Sequence, residues 1–191
     1  MTASATGILL AAGQSTRFGA NKLLHPLADG TPMAVAAARH LKATLAHCIA
    51  VVADAGSDLA KLLAQEGLRI IPNPRAGEGM GTSIACGVAA SPDADGWVIA
   101  LADMPGIPET LIQAVVAGLD RGADIIAPVY QGQRGHPVGF SARHAPALLQ
   151  LHADTGARGI IAANTGSLEL IETRDPGVIV DIDRKASLTN L

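Results

Sequence analysis

Aromatic residues are scarce in this chain: two Phe, one Trp and one Tyr among 191 residues. A core with so few rings must be filled by Ala, Val, Ile and Leu. Small side chains let helices lie close on a sheet, which favours a layered α/β architecture over a wide-cored all-β one. Cysteine is scarce as well. Cys48 and Cys86 share no metal or redox spacing and sit in apolar surroundings, so both read as small core hydrophobes. Charge is sparse and mixed, with 14 Lys+Arg against 17 Asp+Glu and a net charge of -3. That leaves no basic stripe for nucleic acid. The longest apolar runs, such as Val98 to Ala102, fall far short of the roughly 20 residues a membrane span requires. The opening stretch, Met1 to Gly7, has no positively charged segment of the kind that begins a secretory signal. These absences predict a cytoplasmic protein without nucleic-acid or membrane partners.

What is present is a 49% hydrophobic, 16% charged composition, that of a folded globular chain rather than a disordered one. The length suits a single domain over residues 1–191. Short apolar runs predict strands at Gly7 to Ala11, Ile49 to Ala53, Leu68 to Ile71, Trp97 to Leu101, Ile125 to Val129, Leu168 to Ile171 and Val178 to Ile182. Most are continuous rather than alternating, as strands covered on both faces are. Helices are expected between them. Thr31 is placed as an N-cap before Pro32, Ser57 as the cap of a helix that stops at Gly67, and Pro108 at the start of one that ends near Gly122. Ile84 to Ala90 forms another, and a Gly-rich loop from about Gln131 leads into a short extra strand ending near Phe140. Strand and helix in alternation predict a three-layer α/β fold with a mostly parallel sheet.

Ligands of open α/β sheets bind beyond the carboxyl ends of the strands, so the segments just after each apolar run carry the search. The first, Leu10 to Lys22, offers small residues whose backbone N–H groups can approach an anion, with Arg17 as a forked donor and Lys22 as a point charge. It matches neither G-x-G-x-x-G nor the P-loop pattern. It fits a triphosphate cradle, and equally an ordinary Gly-containing turn with solvated cations. Asp103, two residues before Pro105, is either one carboxylate of a Mg²⁺ site or a turn residue bonding its own backbone. Asn73 to Ser83, with glycines at alternate positions, is either a phosphate- or base-binding helix start or a surface loop. Asp181 and Asp183, spaced to share one face of a last strand, could join Asp103 on a metal or simply be solvated beside Arg184 and Lys185. Of the histidines only His136, in the turn Arg134-Gly135-His136-Pro137, is a site candidate; His25, His40, His47 and His144 read as surface or helix-face residues. No arrangement for acyl transfer emerges.

In their order and spacing these segments resemble the MobA-like nucleotidyltransferases, the family of molybdenum cofactor cytidylyltransferase and the related guanylyltransferase. The matching pieces are Leu10-Ala11-Ala12-Gly13 with Arg17, Gly19 and Lys22-Leu23-Leu24; Gly79-Met80 with Ser83 and Gly87; and Asp103-Met104-Pro105. They continue with Arg134-Gly135-His136-Pro137-Val138, Asp154 with Gly156-Ala157-Arg158, and Asp181-Ile182-Asp183. The resemblance implies a nucleotide-diphospho-sugar-transferase-like fold, Mg²⁺ as cofactor, and transfer of CMP from CTP to molybdopterin with release of pyrophosphate. It further implies Arg17, Lys22 and Asp103 as catalytic residues. The nucleotide would be lined by Leu10, Ala11, Ala12, Gly13, Lys22, Gly79, Met80 and Ser83. Asp103 with Asp181 or Asp183 would hold the metal, and His136, Asp154 and Arg158 the acceptor. The guanylyl branch has Gly where Ala12 stands, which favours cytosine here.

Two departures stand out. The family usually has Ser at the position of Gly81. It also continues after the last strand with Thr-Pro-Glu-Asp-Leu, where this chain has Arg184-Lys185-Ala186-Ser187-Leu188. The fold also hosts a pyridine-nucleotide-dependent oxidoreductase of nicotine breakdown, so an NAD(P)H-dependent reaction is an alternative. Others are a transferase acting on a sugar or alcohol phosphate, and a cofactor carrier that hands its cargo to an apoenzyme. Transient contact with a molybdoenzyme would follow from molybdopterin chemistry.

Overall fold

The computed structural model describes residues 5–13, 22–154 and 156–181. Their sheet has eight strands: β1 (Ala5–Leu10), β2 (His47–Val52), β3 (Arg69–Pro72), β4 (Gly96–Leu101), β5 (Ile125–Tyr130), β6 (Gln133–Arg134), β7 (Val138–Ser141) and β8 (Leu168–Glu172). The order runs β3-β2-β1-β4-β7-β5-β6, with β8 on β5. Pairings among β3, β2, β1 and β4, and between β5 and β8, are parallel. β7 lies antiparallel between β4 and β5, and β6 is antiparallel to β5. The helices are α1 (Met33–Thr44), α2 (Asp58–Gln65), α3 (Met80–Ala89), α4 (Glu109–Asp120), α5 (Ala145–Leu149) and α6 (Arg158–Ala163).

The continuous apolar runs are two-faced, as their pattern required. On β1, Leu9 faces a cluster with Met33, Leu41, Leu63 and Val115 from α1, α2 and α4, while Ile8 and Leu10 face one with Ile84, Leu148 and Ile161 from α3, α5 and α6. Alternate β4 residues divide the same way, Val98 and Ala100 to one side and Trp97 and Ile99 to the other. This is the expected three-layer, mostly parallel arrangement. The single Trp is buried and donates its indole N–H to the Ser91 hydroxyl at 2.9 Å, so its one polar atom is satisfied. No helix of the described residues is long and apolar enough to cross a membrane.

Several local expectations hold. Ser57 caps α2 by accepting from the Ala60 N–H at 3.2 Å, and Gly67 and Gly122 close α2 and α4 with positive φ. Others shift. The residue before α1 is Pro32, whose carbonyl accepts from Val35 and Ala36, while Thr31 instead bonds the Asp29 carboxylate. α3 begins at Met80, four residues before the expected Ile84. His144 is buried, edge-on to Phe140, rather than on the surface.

Val178 to Ile182 is not a strand within the described residues. Pro176–Val178 is a 3₁₀ turn and Ile179 to Asp181 are irregular; Ile182 lies outside the described residues. Val178 is fully buried, but its carbonyl accepts from the His136 N–H at 2.8 Å instead of joining a ladder. Val178 alone fills the core beside His136, with Ile179 partly buried and Val180 exposed, and the strand-based reason for Asp181 and Asp183 to share a face goes with the strand.

Candidate active site

The described ends of the first segment, Leu10 to Gly13 and Lys22, lie at the carboxyl edge of the sheet. Leu10 pairs with Leu101, the Leu10 carbonyl accepts from Ala102 at 3.1 Å, and Ala11 donates to Val51 at 2.8 Å. Ala12 and Asp103 thus follow the ends of the neighbouring strands β1 and β4. Ala11 and Ala12 are buried and Gly13 is exposed, with no atom of the described residues within 4 Å of the place a Cβ would occupy. The chain thus emerges from the core at Gly13, where a ligand can lie against backbone.

Lys22 opens the 3₁₀ turn Lys22–Leu24, which buried Leu23 pins to the core. Its Nζ donates to Asp103 Oδ2 at 2.9 Å across 81 residues of sequence. The side chains are 12% and 27% exposed, so the pair is shielded without being sealed. Two residues expected to be catalytic are therefore in direct contact. Arg17, the third, and Asp183 lie outside the described residues.

The Asn73 to Ser83 segment is ordered by a buried polar network. Asn73, at the end of β3, receives a hydrogen bond from Arg75 N and donates through Nδ2 to the Thr82 and Ser83 hydroxyls, each at 3.0 Å. The Thr82 hydroxyl also lies 2.9 Å from the Arg75 and Gly79 carbonyls. Ser83 is thus held by Asn73 in the interior, while Met80 of the same helix is half-exposed. Sequence reasoning selected this segment but gave Asn73 no role. Its signal was a lone Asn directly after a strand run, at the edge where a polar side chain can tie the loop to the helix start.

Beside Asp103 opens a cleft of about 600 Å³. Met80, Arg134, His136, Asp154, Arg158 and Asp181 line it, over an apolar floor that includes Ile99 and Phe140. The structure brings together here the residues expected for the acceptor and one of the two further carboxylates. Close backbone contacts explain how. A Cβ on Gly79, whose φ is +123°, would fall 2.4 Å from the Ala153 carbonyl carbon, and one on Gly81 would fall 2.8 Å from the His152 oxygen. Gly81 N also donates to Ala153 O at 2.9 Å. The start of α3 therefore seats the turn that presents Asp154, and Gly81, a departure from the family pattern, fills a space with no room for Ser. A Cβ on Gly135 would lie 2.2 Å from the Val178 oxygen, which is how the 3₁₀ turn ahead of Asp181 reaches the cleft.

The His136 residue keeps some exposure at the cleft, but its Nδ1 is buried without a hydrogen-bond partner among the described residues. Burial pushes its pKa down from the ordinary 6.5 to about 4. The Asp103 charge and a hydrogen bond to the Ile99 backbone oppose that fall, and Arg134 and Arg158 add to it. The ring is uncharged at neutral pH, and it senses charges from both sides of the site. The cysteines stay apart from this chemistry: burial raises the Cys48 thiol to about 11 and shifts Cys86 upward as well. A second cavity of about 540 Å³, lined by Thr6, His47 and Arg69 among others, lies at the opposite, amino-terminal edge of the sheet.

Among the described residues no group of three or more His, Cys, Asp or Glu side chains could hold a metal unaided. Asp103 nonetheless offers the oxygen donor that hard cations take, and it already carries a cation in the Lys22 ammonium. One carboxylate of this kind is a donor that a hard divalent ion takes, its remaining oxygens coming from water or a bound ligand.

Comparison with known proteins shows the family. Residues 7–169 match the MobA-like NTP transferase domain. The purine catabolism protein PucB of Bacillus subtilis (strain 168) is 30% identical over 187 residues, covering 93% of this chain and 90% of that protein. The nicotine blue oxidoreductase of Paenarthrobacter nicotinovorans is 30% identical over 190 residues, covering 93% and 91%. Among solved structures, Rv0371c of Mycobacterium tuberculosis H37Rv superposes with a TM-score of 0.82 at 24% identity, covering 97% of this chain and 96% of that one. A complex of Rv0371c with manganese superposes at 0.80. From residue 7 to residue 169, then, the chain belongs to the MobA-like NTP transferase family and is a nucleotidyltransferase.

Proposed function

We propose that this enzyme transfers CMP from CTP to molybdopterin, releasing pyrophosphate, with Mg²⁺ as cofactor. The observation that carries the reading is the Lys22–Asp103 pair at the carboxyl edge of β1 and β4, beside the cleft of His136, Asp154, Arg158 and Asp181. A nucleotide against Leu10 to Gly13 and Met80 would have its triphosphate within reach of Lys22, with Arg17 as a second cation. The cleft would hold the acceptor with its phosphate turned towards the α-phosphorus. Nucleotidyl transfer of this kind needs positioning and neutralisation of developing charge more than a protein nucleophile. Asp103, with Asp181 or Asp183, would hold the metal, which when bound neutralises charge on the phosphates; manganese on Rv0371c supports a divalent ion here. His136, uncharged, would hydrogen-bond the acceptor, and Arg158 would balance its negative charge. Gly79 and Ser83 would act through the shape of the loop that carries Met80. Ala12 in place of Gly supports CTP over GTP. A cytoplasmic setting and transient contact with a molybdoenzyme complete the reading.

A second reading, reduction or oxidation with NAD(P)H, is favoured by the 30% identity to nicotine blue oxidoreductase. Thermal-shift titration with CTP, GTP, ATP and NADPH, each with and without Mg²⁺, separates the two, because a ligand that binds only the folded state raises its stability. Stabilisation by CTP with Mg²⁺, followed by pyrophosphate release on adding molybdopterin, is the expected result. Stabilisation by NADPH alone would refute the transferase assignment. Asp103→Ala should lower pyrophosphate release by at least about 100-fold, the scale of losing a main electrostatic contributor.

A further inference from the structure

The Lys22 ammonium lies 2.9 Å from Oδ2 of Asp103, on the carboxylate proposed above for a divalent cation. With both side chains mostly shielded, the contact is stronger than a solvated surface pair and still accessible to a competitor. A triphosphate held against Leu10 to Gly13, as proposed above, would draw the Lys22 ammonium away from the carboxylate. We infer that Lys22 is a cation latch on Asp103: without nucleotide, its ammonium and a divalent ion compete for the same carboxylate, and a triphosphate that takes Lys22 releases Asp103 to the metal. This rests on the nucleotide and metal roles proposed above for the two residues. Its consequence is an order of binding, in which the empty protein takes up free metal poorly and metal enters with the nucleotide.

The test uses Mn²⁺ alone, with no nucleotide, and counts free ion by its electron paramagnetic resonance signal. Lys22→Met keeps the side-chain length and removes the charge, and is expected to bind Mn²⁺ about tenfold more tightly than the unsubstituted protein, the scale of losing a partly shielded competing charge. Lys22→Arg keeps the charge and should show no gain. The gain should vanish in Lys22→Met combined with Asp103→Asn. Equal affinity in Lys22→Met and the unsubstituted protein would overturn the latch, and so would a gain that survives loss of Asp103. A further measurement needs no substitution. Added Mn²⁺ at high concentration should speed acetylation of Lys22, followed by mass spectrometry, by freeing its amine from the carboxylate; an unchanged rate overturns the inference. Neither readout uses nucleotide or acceptor, so failure of the latch is distinguished from failure of the transfer reading, which the pyrophosphate assay reports.

Discussion

Acidification should weaken this protein through His136, in a window that burial defines. The ordinary histidine value is 6.5, and in the folded chain it is lowered to about 4, chiefly because the ring is buried at the cleft floor. Above 6.5 neither state binds the proton. Between 6.5 and about 4 the unfolded chain binds it and the folded chain does not, so stability falls with pH across that interval. Below about 4 both states are protonated and the contribution is gone. The loss amounts to about 2 kcal/mol at pH 5 and about 3 kcal/mol when complete. Urea unfolding at about pH 7 and about pH 5, on the unsubstituted protein and on His136→Gln, isolates this contribution, since the difference between them should narrow by about 2 kcal/mol on acidification. The carboxyls lowered by their partners, Asp29 by Thr31 and Glu78 by Arg75, lose their contribution at lower pH and cancel in that difference. A nuclear magnetic resonance titration supplies the direct check, with the His136 ring remaining neutral through about pH 5.5. Parallel pH profiles for the two proteins, or titration of His136 near its ordinary value, would refute the reasoning.

Gly81→Ser should destabilise the fold by about 1–3 kcal/mol in urea unfolding, because a Cβ there meets the His152 carbonyl oxygen; a neutral effect would mean that the turn moves freely. Asn73→Ala should cost about 2 kcal/mol by leaving the Thr82 and Ser83 hydroxyls without their shared donor, measured in the same way. Asn73→Ala should also weaken CTP stabilisation in the thermal-shift assay if the start of α3 presents Met80 to the nucleotide, and an unchanged CTP shift would remove that segment from the site.

Much of the architecture is legible in residue order because its causes are local. Continuous apolar runs such as Trp97 to Leu101 can only be two-faced strands, and small side chains such as Ala37, Ala38 and Ala60 let the helices close on them. The end of a strand is a local event too, so Asp103 and Ala11 to Gly13 could be marked as edge residues before any pairing was known. The misread run at Val178 shows the limit. Burial makes a segment apolar whether it joins a ladder or plugs a gap, and only the hydrogen bond from His136 to the Val178 carbonyl separates the two.

The scarcity of rings and the short, continuous apolar runs determined, from the sequence alone, a layered α/β fold. Sheet register decided the rest. It set β1 against β4 and so brought Lys22 to Asp103 over a separation that no spacing encodes. Close backbone contacts at Gly81 and Gly135 then gathered Asp154 and Asp181 around His136. The charge state of that ring depends on burial and on the field of Asp103, Arg134 and Arg158 together, and those neighbours exist only once the chain has folded.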